Sequence, residues 1–206
     1  MFARFVVDAS GRSRVLARRS GAAVERRPPL VALWAIGAAT LEARATDRTL
    51  TETTDHGWWY GAHLPGGRPV AIFHTSPRTA RALVAAPPRW CDALARTRLL
   101  AQHLSPRAFR GAALRASDAR PSAVVHPCGD GWACCGDAAW ACDPIASAGI
   151  FHALATAEML ARGLATDDLR GYAERSAAIR STSERHRTAY YREAKLHHRS
   201  AFWSAH

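Results

Sequence analysis

The sequence predicts a mixed α/β (α+β) chain in three parts: a partial parallel-sheet domain, an antiparallel sheet covered by helices, and a long C-terminal helix. Three observations carry this. The apolar run Phe5-Val6-Val7 has the unbroken hydrophobicity of a strand that a parallel sheet buries on both faces. Residues 48–54, 57–64 and 68–75 are strand-like stretches separated by the turn signals Asp55-His56 and Pro65-Gly66-Gly67. From the acidic start Thr166-Asp167-Asp168, a mostly polar helix extends to about Leu196. Leu169, Tyr172, Ala173 and Ile179 give it a thin apolar stripe, and its arginines and glutamates form a solvated face.

The elements follow in order. Residues 15–19 continue the first strand and its Ser10-Gly11 turn as a short helix, and Arg26-Arg27-Pro28-Pro29 breaks the chain. Residues 30–40 read as a strand, joined by the three above in an antiparallel meander that presents Trp34, Trp58, Trp59, Tyr60 and Phe73. Ser76 starts a helix through Ala85. Pro87-Pro88 starts another, with Trp90, Leu94, Thr97, Ala101 and Leu104 on one face. Residues 108–117 return as a strand, 118–121 turn, and 124–128 link to the buried strand 131–135. Ile150 to Arg162 is a helix with Ile150, Leu154, Ala157 and Ala161 at helical spacing.

Composition narrows the functional classes. At 206 residues the chain can form one large domain or two small ones. The formal charge of +11 would ordinarily suggest an anionic partner. However, Lys195 is the sole lysine, the arginines are scattered apart from Arg12, Arg14, Arg18, Arg19, Arg26 and Arg27 near the start, and alanine is abundant. No helix-turn-helix, zinc-finger or aromatic RNA-binding signature accompanies the charge, so no nucleic-acid partner is expected. With neither a run of about 18 apolar residues nor a signal-peptide pattern, no membrane association is expected and a cytoplasmic location is the default. Cys91, Cys128, Cys134, Cys135 and Cys142 lack metal or redox spacing. Adjacent Cys134 and Cys135 would point to opposite faces of a strand, so reduced thiols and no metal are expected.

The run from Gly136 to Gly149 joins a strand to a helix through a polar turn. Asp137, at the carboxyl end of a buried strand, is placed to accept hydrogen bonds from a ligand hydroxyl. The first amides of the following helix, near Ser147 and Ala148, attract negative charge. A plainer reading is that Gly-Asp and Asp-Pro build turns and Ser147 caps a helix.

Gly136-Asp137-Ala138-Ala139, Asp143-Pro144 and Gly149 resemble the flavin-contacting motif of the FAD-dependent monooxygenases and flavin-dependent halogenases. The resemblance implies that Asp137 holds the ribityl chain of FAD. It places Pro144 beside the isoalloxazine and aims the amides of Ser147, Ala148 and Gly149 at the flavin N1/O2 edge. Val7-Asp8-Ala9-Ser10-Gly11-Arg12 is similar to the family's strand end in the FAD domain, through Asp8, Gly11 and Arg12. Gly57-Trp58-Trp59-Tyr60 looks like the family's substrate-facing segment, so Trp58, Trp59 and Tyr60 could line a substrate pocket or fill the core. Tyr190-Tyr191-Arg192 and Phe202-Trp203 resemble the halogenase-like tail.

The resemblance covers Arg4 to Trp203 and implies four segments. Residues 1–29 supply an FAD-domain strand and crossover, and 30–122 the substrate-domain sheet with its helices. Residues 123–164 supply the FAD-domain strand-turn-helix, and 165–206 the C-terminal helix and tail. No Gly-x-Gly-x-x-Gly opens a strand-turn-helix unit, so the ADP half of FAD lacks its usual seat and the chain looks like the C-terminal half or more of a flavoprotein. In the family's halogenases the segment reads Trp-x-Trp-x-Ile-Pro; counted back from Pro65, the Trp positions fall on Tyr60 and Ala62, a departure that disfavours halogenation.

The expected function is part of an FAD-dependent oxidoreductase acting on an organic, aromatic, amino-acid or peptide substrate, with a flavin reductase as a possible partner. No catalytic base is identified. The alternative is a non-catalytic fragment or subunit of a split flavoprotein that does not bind FAD alone; on the first reading too, the expected cofactor is FAD held weakly or not at all without the missing N-terminal unit.

Overall fold

The computed structural model describes residues 3–39 and 48–206. The expected strand end at Thr40 lies outside them. The strands are β1 (Val6–Asp8), β2 (Val24–Arg26), β3 (Val31–Ile36), β4 (Leu50–Thr54), β5 (Gly57–His63), β6 (Pro69–Thr75), β7 (Arg115–Asp118), β8 (Ser122–Val124), β9 (Cys128–Gly129), β10 (Trp132–Cys134) and β11 (Trp140–Ala141). The α-helices are α1 (Val15–Arg19), α2 (Pro77–Ala85), α3 (Pro87–Ala95), α4 (Leu100–Leu104), α5 (Gly149–Ala165), α6 (Leu169–His197) and α7 (Ala201–Ala205). Two compact units result: Met1–Pro28 with Arg120–Arg192, and Pro29–Ala119 with Glu193–His206.

In the first unit β1 pairs parallel with β10, Val6 opposite Trp132 and Asp8 opposite Cys134, and β9 adds to β10 antiparallel. The expected parallel pairing is therefore present, but the expected burial on both faces is not: Val6 and Val7 are 46 % and 43 % exposed, because β10 covers one edge only and no second neighbour flanks β1 among the described residues. Alternation along β10 sends side chains to two cores. Ala133 and Cys135 pack with Leu160 of α5 and Tyr172 of α6, while Cys134 packs with Ala17, Val124, Ala138 and Ala139. All five cysteines are free thiols. A second small sheet, ordered β11-β8-β2, is antiparallel. Sequence reading took residues 124–128 as a link and 26–29 as a break, because two- and three-residue strands carry no periodicity.

The second unit is built on one five-stranded sheet, β4-β5-β6-β3-β7, antiparallel throughout. The β4–β5 hairpin turns at the expected Asp55-His56, and Gly57 follows because a Cβ there would lie 2.0 Å from the His74 carbonyl. Trp59, Phe73, Trp90, Leu94, Leu100, Leu104 and Phe109 form the core between the sheet and its helices. Ser76 caps α2 through its hydroxyl, accepting from the Thr79 N–H.

Two expectations are corrected here. The single helix after Pro87-Pro88 is α3 and α4, because the Glu52 carboxylate accepts from the N–H groups of Arg98, Leu99 and Leu100 at 2.6–3.1 Å and starts a new helix. The returning strand shortens to β7, since residues 106–109 form a 3-10 turn.

Candidate functional site

The site is built at the carboxyl ends of β1 and β10 in the first unit. Asp8 ends β1 buried, with one carboxylate oxygen accepting from the Ser10 amide and hydroxyl and the other from the Leu16 and Ala17 amides at 2.8 and 3.0 Å. Burial alone would raise its pKa, but the Ser10 hydroxyl and the three amides outweigh that and hold it below the usual value. Asp8 thus fixes the loop through Gly11 and Arg12 and starts α1.

Arg12 reaches from that loop toward Asp137, with Nε 3.7 Å from the carboxylate, while its Nη1 donates to the Arg120 carbonyl. The Asp137 carboxylate is 42 % exposed and sits on the 3-10 turn Gly136–Ala138 directly after β10. Gly136 has φ of +57° and its N–H donates to the Thr156 hydroxyl at 2.9 Å, tying the turn to α5.

Sequence reading missed the residue that holds this turn. Arg14, in the left-handed region at φ 48°, is buried and donates to the carbonyls of Ala138 (3.0 Å), Ser122 (2.9 Å) and Asp137 (3.1 Å). Burial, with Arg12 and Arg26 nearby, lowers its pKa from the ordinary arginine value.

Beyond β11, the Asp143 side chain turns inward. Its Oδ1 caps the 3-10 turn Pro144–Ala146 through the Ile145 N–H, and its Oδ2 accepts from Arg187 Nε at 2.9 Å and the Tyr191 hydroxyl at 3.1 Å. The carboxylate is 1 % exposed and Arg187 is nearly as buried. The α6 arginines were expected on a solvated face; Arg187 is the correction.

Ser147 does not cap α5. It lies in the left-handed region as the end of the 3-10 turn, Ala148 occupies the cap position, and no side chain caps the helix. The first amides of α5 therefore keep the partial positive charge of a helix start available. The buried face of α5 is also corrected: His152, Thr156, Leu160 and Gly163 point inward, and Ile150 (81 %), Phe151 (66 %) and Leu154 (69 %) are exposed.

In the second unit, Trp58 and Trp59 are each 1 % exposed. Trp59 stacks on Phe73 at 4.5 Å within the core, and Trp58 stacks on His74 at 3.7 Å. Both are packed side chains, in keeping with the core-filling one of the two roles open to them; Tyr60 is half-buried, its hydroxyl 3.5 Å from Thr49 Oγ1. Among the described residues no cluster of three or more potential metal ligands occurs, and no helix is long and apolar enough to cross a membrane.

No family model and no curated protein matches the chain. Solved structures do. CmlS, a flavin-dependent halogenase, superposes with a TM-score of 0.78 at 19% identity, over 98% of this chain and 39% of its own. BrvH, a flavin-dependent halogenase from Brevundimonas sp. BAL3, gives 0.71 at 19% identity, over 98% and 40%. PqsL, a probable FAD-dependent monooxygenase from Pseudomonas aeruginosa, gives 0.69 at 22% identity, over 87% and 53%. The chain thus spans 39% to 53% of the length of these structures. Over that span it has the mixed α/β fold found in these flavin-dependent halogenases and monooxygenases.

Proposed function

We propose that the chain forms the flavin-facing and substrate-side part of an FAD-dependent oxidoreductase of the monooxygenase and halogenase kind, acting on an organic substrate of aromatic, amino-acid or peptide type. The observation that carries this is the placement of Asp137. Its carboxylate is accessible at the carboxyl end of a parallel strand pair, beside Arg12, on a turn tied to α5.

The donor set fits the flavin and ribityl half of FAD. Asp137 accepts from ribityl hydroxyls, Arg12 orients Asp137, and Pro144 lies on the turn leading into the helix. The amides of Ala148 and Gly149, at the uncapped start of α5, favour negative charge on a ligand, whereas the Ser147 amide is already donated to the Pro144 carbonyl at 3.0 Å. FAD, when bound, supplies the electron transfer and oxygen activation that side chains cannot. Asp8, Gly11 and Asp143 act at one remove, holding the loops that present these groups.

Titration of the purified chain with FAD, read by flavin fluorescence, tests this. Saturable quenching is expected, with Asp137→Ala weakening it about tenfold, as the loss of a hydrogen bond to a charged group would. Binding indifferent to Asp137 counts against the assignment.

The exposed apolar face of α5 favours a second reading, in which the chain is one piece of a split flavoprotein and FAD is retained only with a complementary polypeptide covering Ile150, Phe151 and Leu154. Absorbance at about 450 nm separates the two, because bound oxidised flavin absorbs there. Flavin carried by the lone chain through gel filtration supports the first reading, and its absence the second.

A further inference from the structure

Within the second unit, a cavity of about 430 Å³ is lined by α3, the 3-10 turn at residues 106–109 and the residues that lead into β7. This lies within the range of about 300–1,000 Å³ that suits small organic ligands. Ala35 of β3, Trp90 of α3 and Phe109 of the turn belong to the buried core and form its floor, and the half-buried Leu114 extends it. The Cys91 thiol donates to the Phe109 carbonyl at 3.7 Å and holds α3 to the turn.

Two opposite charges share this apolar lining. Asp92 comes from α3 and Arg110 from just after the turn; both are exposed, and neither side chain makes an ion pair or a hydrogen bond among the described residues. Burial raises the pKa of the Cys91 thiol, with Asp92 adding to the rise and Arg110 opposing it, so both charges act on the wall that Cys91 forms. A free cation and a free carboxylate beside an apolar floor suit the two ends of a zwitterion with an apolar side chain. The rings of Trp90 and Phe109 meet edge-on, centroids 5.6 Å apart, and are 2 % and 1 % exposed. No ring face is therefore open for stacking, which favours an aliphatic group over an aromatic one.

We propose that this cavity binds a small aliphatic α-amino acid of the leucine class, with its carboxylate on the Arg110 guanidinium, its ammonium on the Asp92 carboxylate and its side chain over Ala35, Trp90 and Phe109. None of the groups assigned to flavin lines the cavity. The site stands whether or not the chain binds flavin.

L-Leucine is the probe, titrated into the intact chain by ligand-observed NMR. Saturable binding is expected. Leucinamide, which lacks the carboxylate, and N-acetyl-leucine, which lacks the ammonium, should each bind about tenfold more weakly. Arg110→Gln lowers the affinity for leucine to that for leucinamide, and Asp92→Asn lowers it to that for N-acetyl-leucine. Saturating leucine also slows the labelling of Cys91 by a thiol-disulfide reagent and leaves Cys128, in the first unit, unaffected. Non-saturable binding, an analogue that binds as well as leucine, indifference to either substitution, or unaltered Cys91 labelling overturns the proposal. So does displacement of leucine by riboflavin, which would make the cavity part of the flavin site. If a variant fails to fold by circular dichroism, the three ligands and the Cys91 labelling on the unaltered chain still decide the matter.

Discussion

Arg14 donates through Nε to the carbonyl of Ala138 at 3.0 Å, clamping the turn that carries Asp137 to the loop that follows β1. The same guanidinium serves Ser122 and Asp137, so one buried side chain satisfies three backbone acceptors from distant parts of the chain.

Arg14→Ala removes the guanidinium donor from all three carbonyls, and the expected loss is about 3 kcal/mol, from hydrogen bonds to a charged donor. Arg14→Lys recovers only a fraction of it, since an ammonium cannot span the three acceptors as a planar fork does. Urea unfolding measures both.

The pair Asp143–Arg187 behaves as a unit. Arg187→Met strands a buried carboxylate and should cost about 3–5 kcal/mol, whereas the double variant Asp143→Asn with Arg187→Met should cost less than the sum of the single changes. Strict additivity in a double-mutant cycle by chemical denaturation would refute this coupling.

His74 makes stability depend on pH. Burial against Trp58 pushes its pKa down to about 3 from the ordinary 6.5, the Trp58 backbone hydrogen bond opposing weakly. Between those values the unfolded chain binds the proton and the folded chain does not. Its contribution is therefore complete above pH 6.5 and declines as pH falls toward about 3. The slope is about 1.4 kcal/mol per pH unit. His74→Phe keeps the stack and should flatten that slope in melts taken across the window.

The thiols divide by burial. Burial pushes Cys134 up to about 12 and Cys142 to about 11, with neighbouring carboxylates adding to the shift. Near pH 8 a thiol-disulfide reagent should leave Cys134, Cys135 and Cys142 unmodified in the native chain and label the partly exposed Cys91 and Cys128 slowly. All five should react in denaturant. Rapid native labelling of Cys134, followed by mass spectrometry, would contradict the packing of β10.

Much of this was legible in the sequence where local signals suffice. The β4–β5–β6 meander is marked by its turns, and the start of α2 by Ser76. What escaped depends on residues far away in the chain. The break between α3 and α4 is set by Glu52 on β4, which no window around Arg98 contains. Periodicity groups Ile150 with Leu154 but does not say which face of α5 meets the core; Thr156 decides that by bonding Gly136. Arg187 looks solvated among its charged neighbours, although it continues a helically spaced buried row through Tyr172, Ser176, Ser183 and Tyr191. The flavin-like motif was readable because its turn chemistry is local, whereas the inward use of Asp143 was not.

The register of β1 against β10 also sets an order of events during folding. Val6 finds its neighbour only at Trp132, across the Pro29–Ala119 part of the second unit, whereas β4, β5 and β6 meet through short hairpins. Closing the larger loop costs more entropy, so the meander forms early and the first strand waits. A nascent chain leaving the ribosome therefore carries Val6 and Val7 without their β10 partners until β10 has been synthesised, an interval in which an unpaired apolar strand edge is open to wrong pairing.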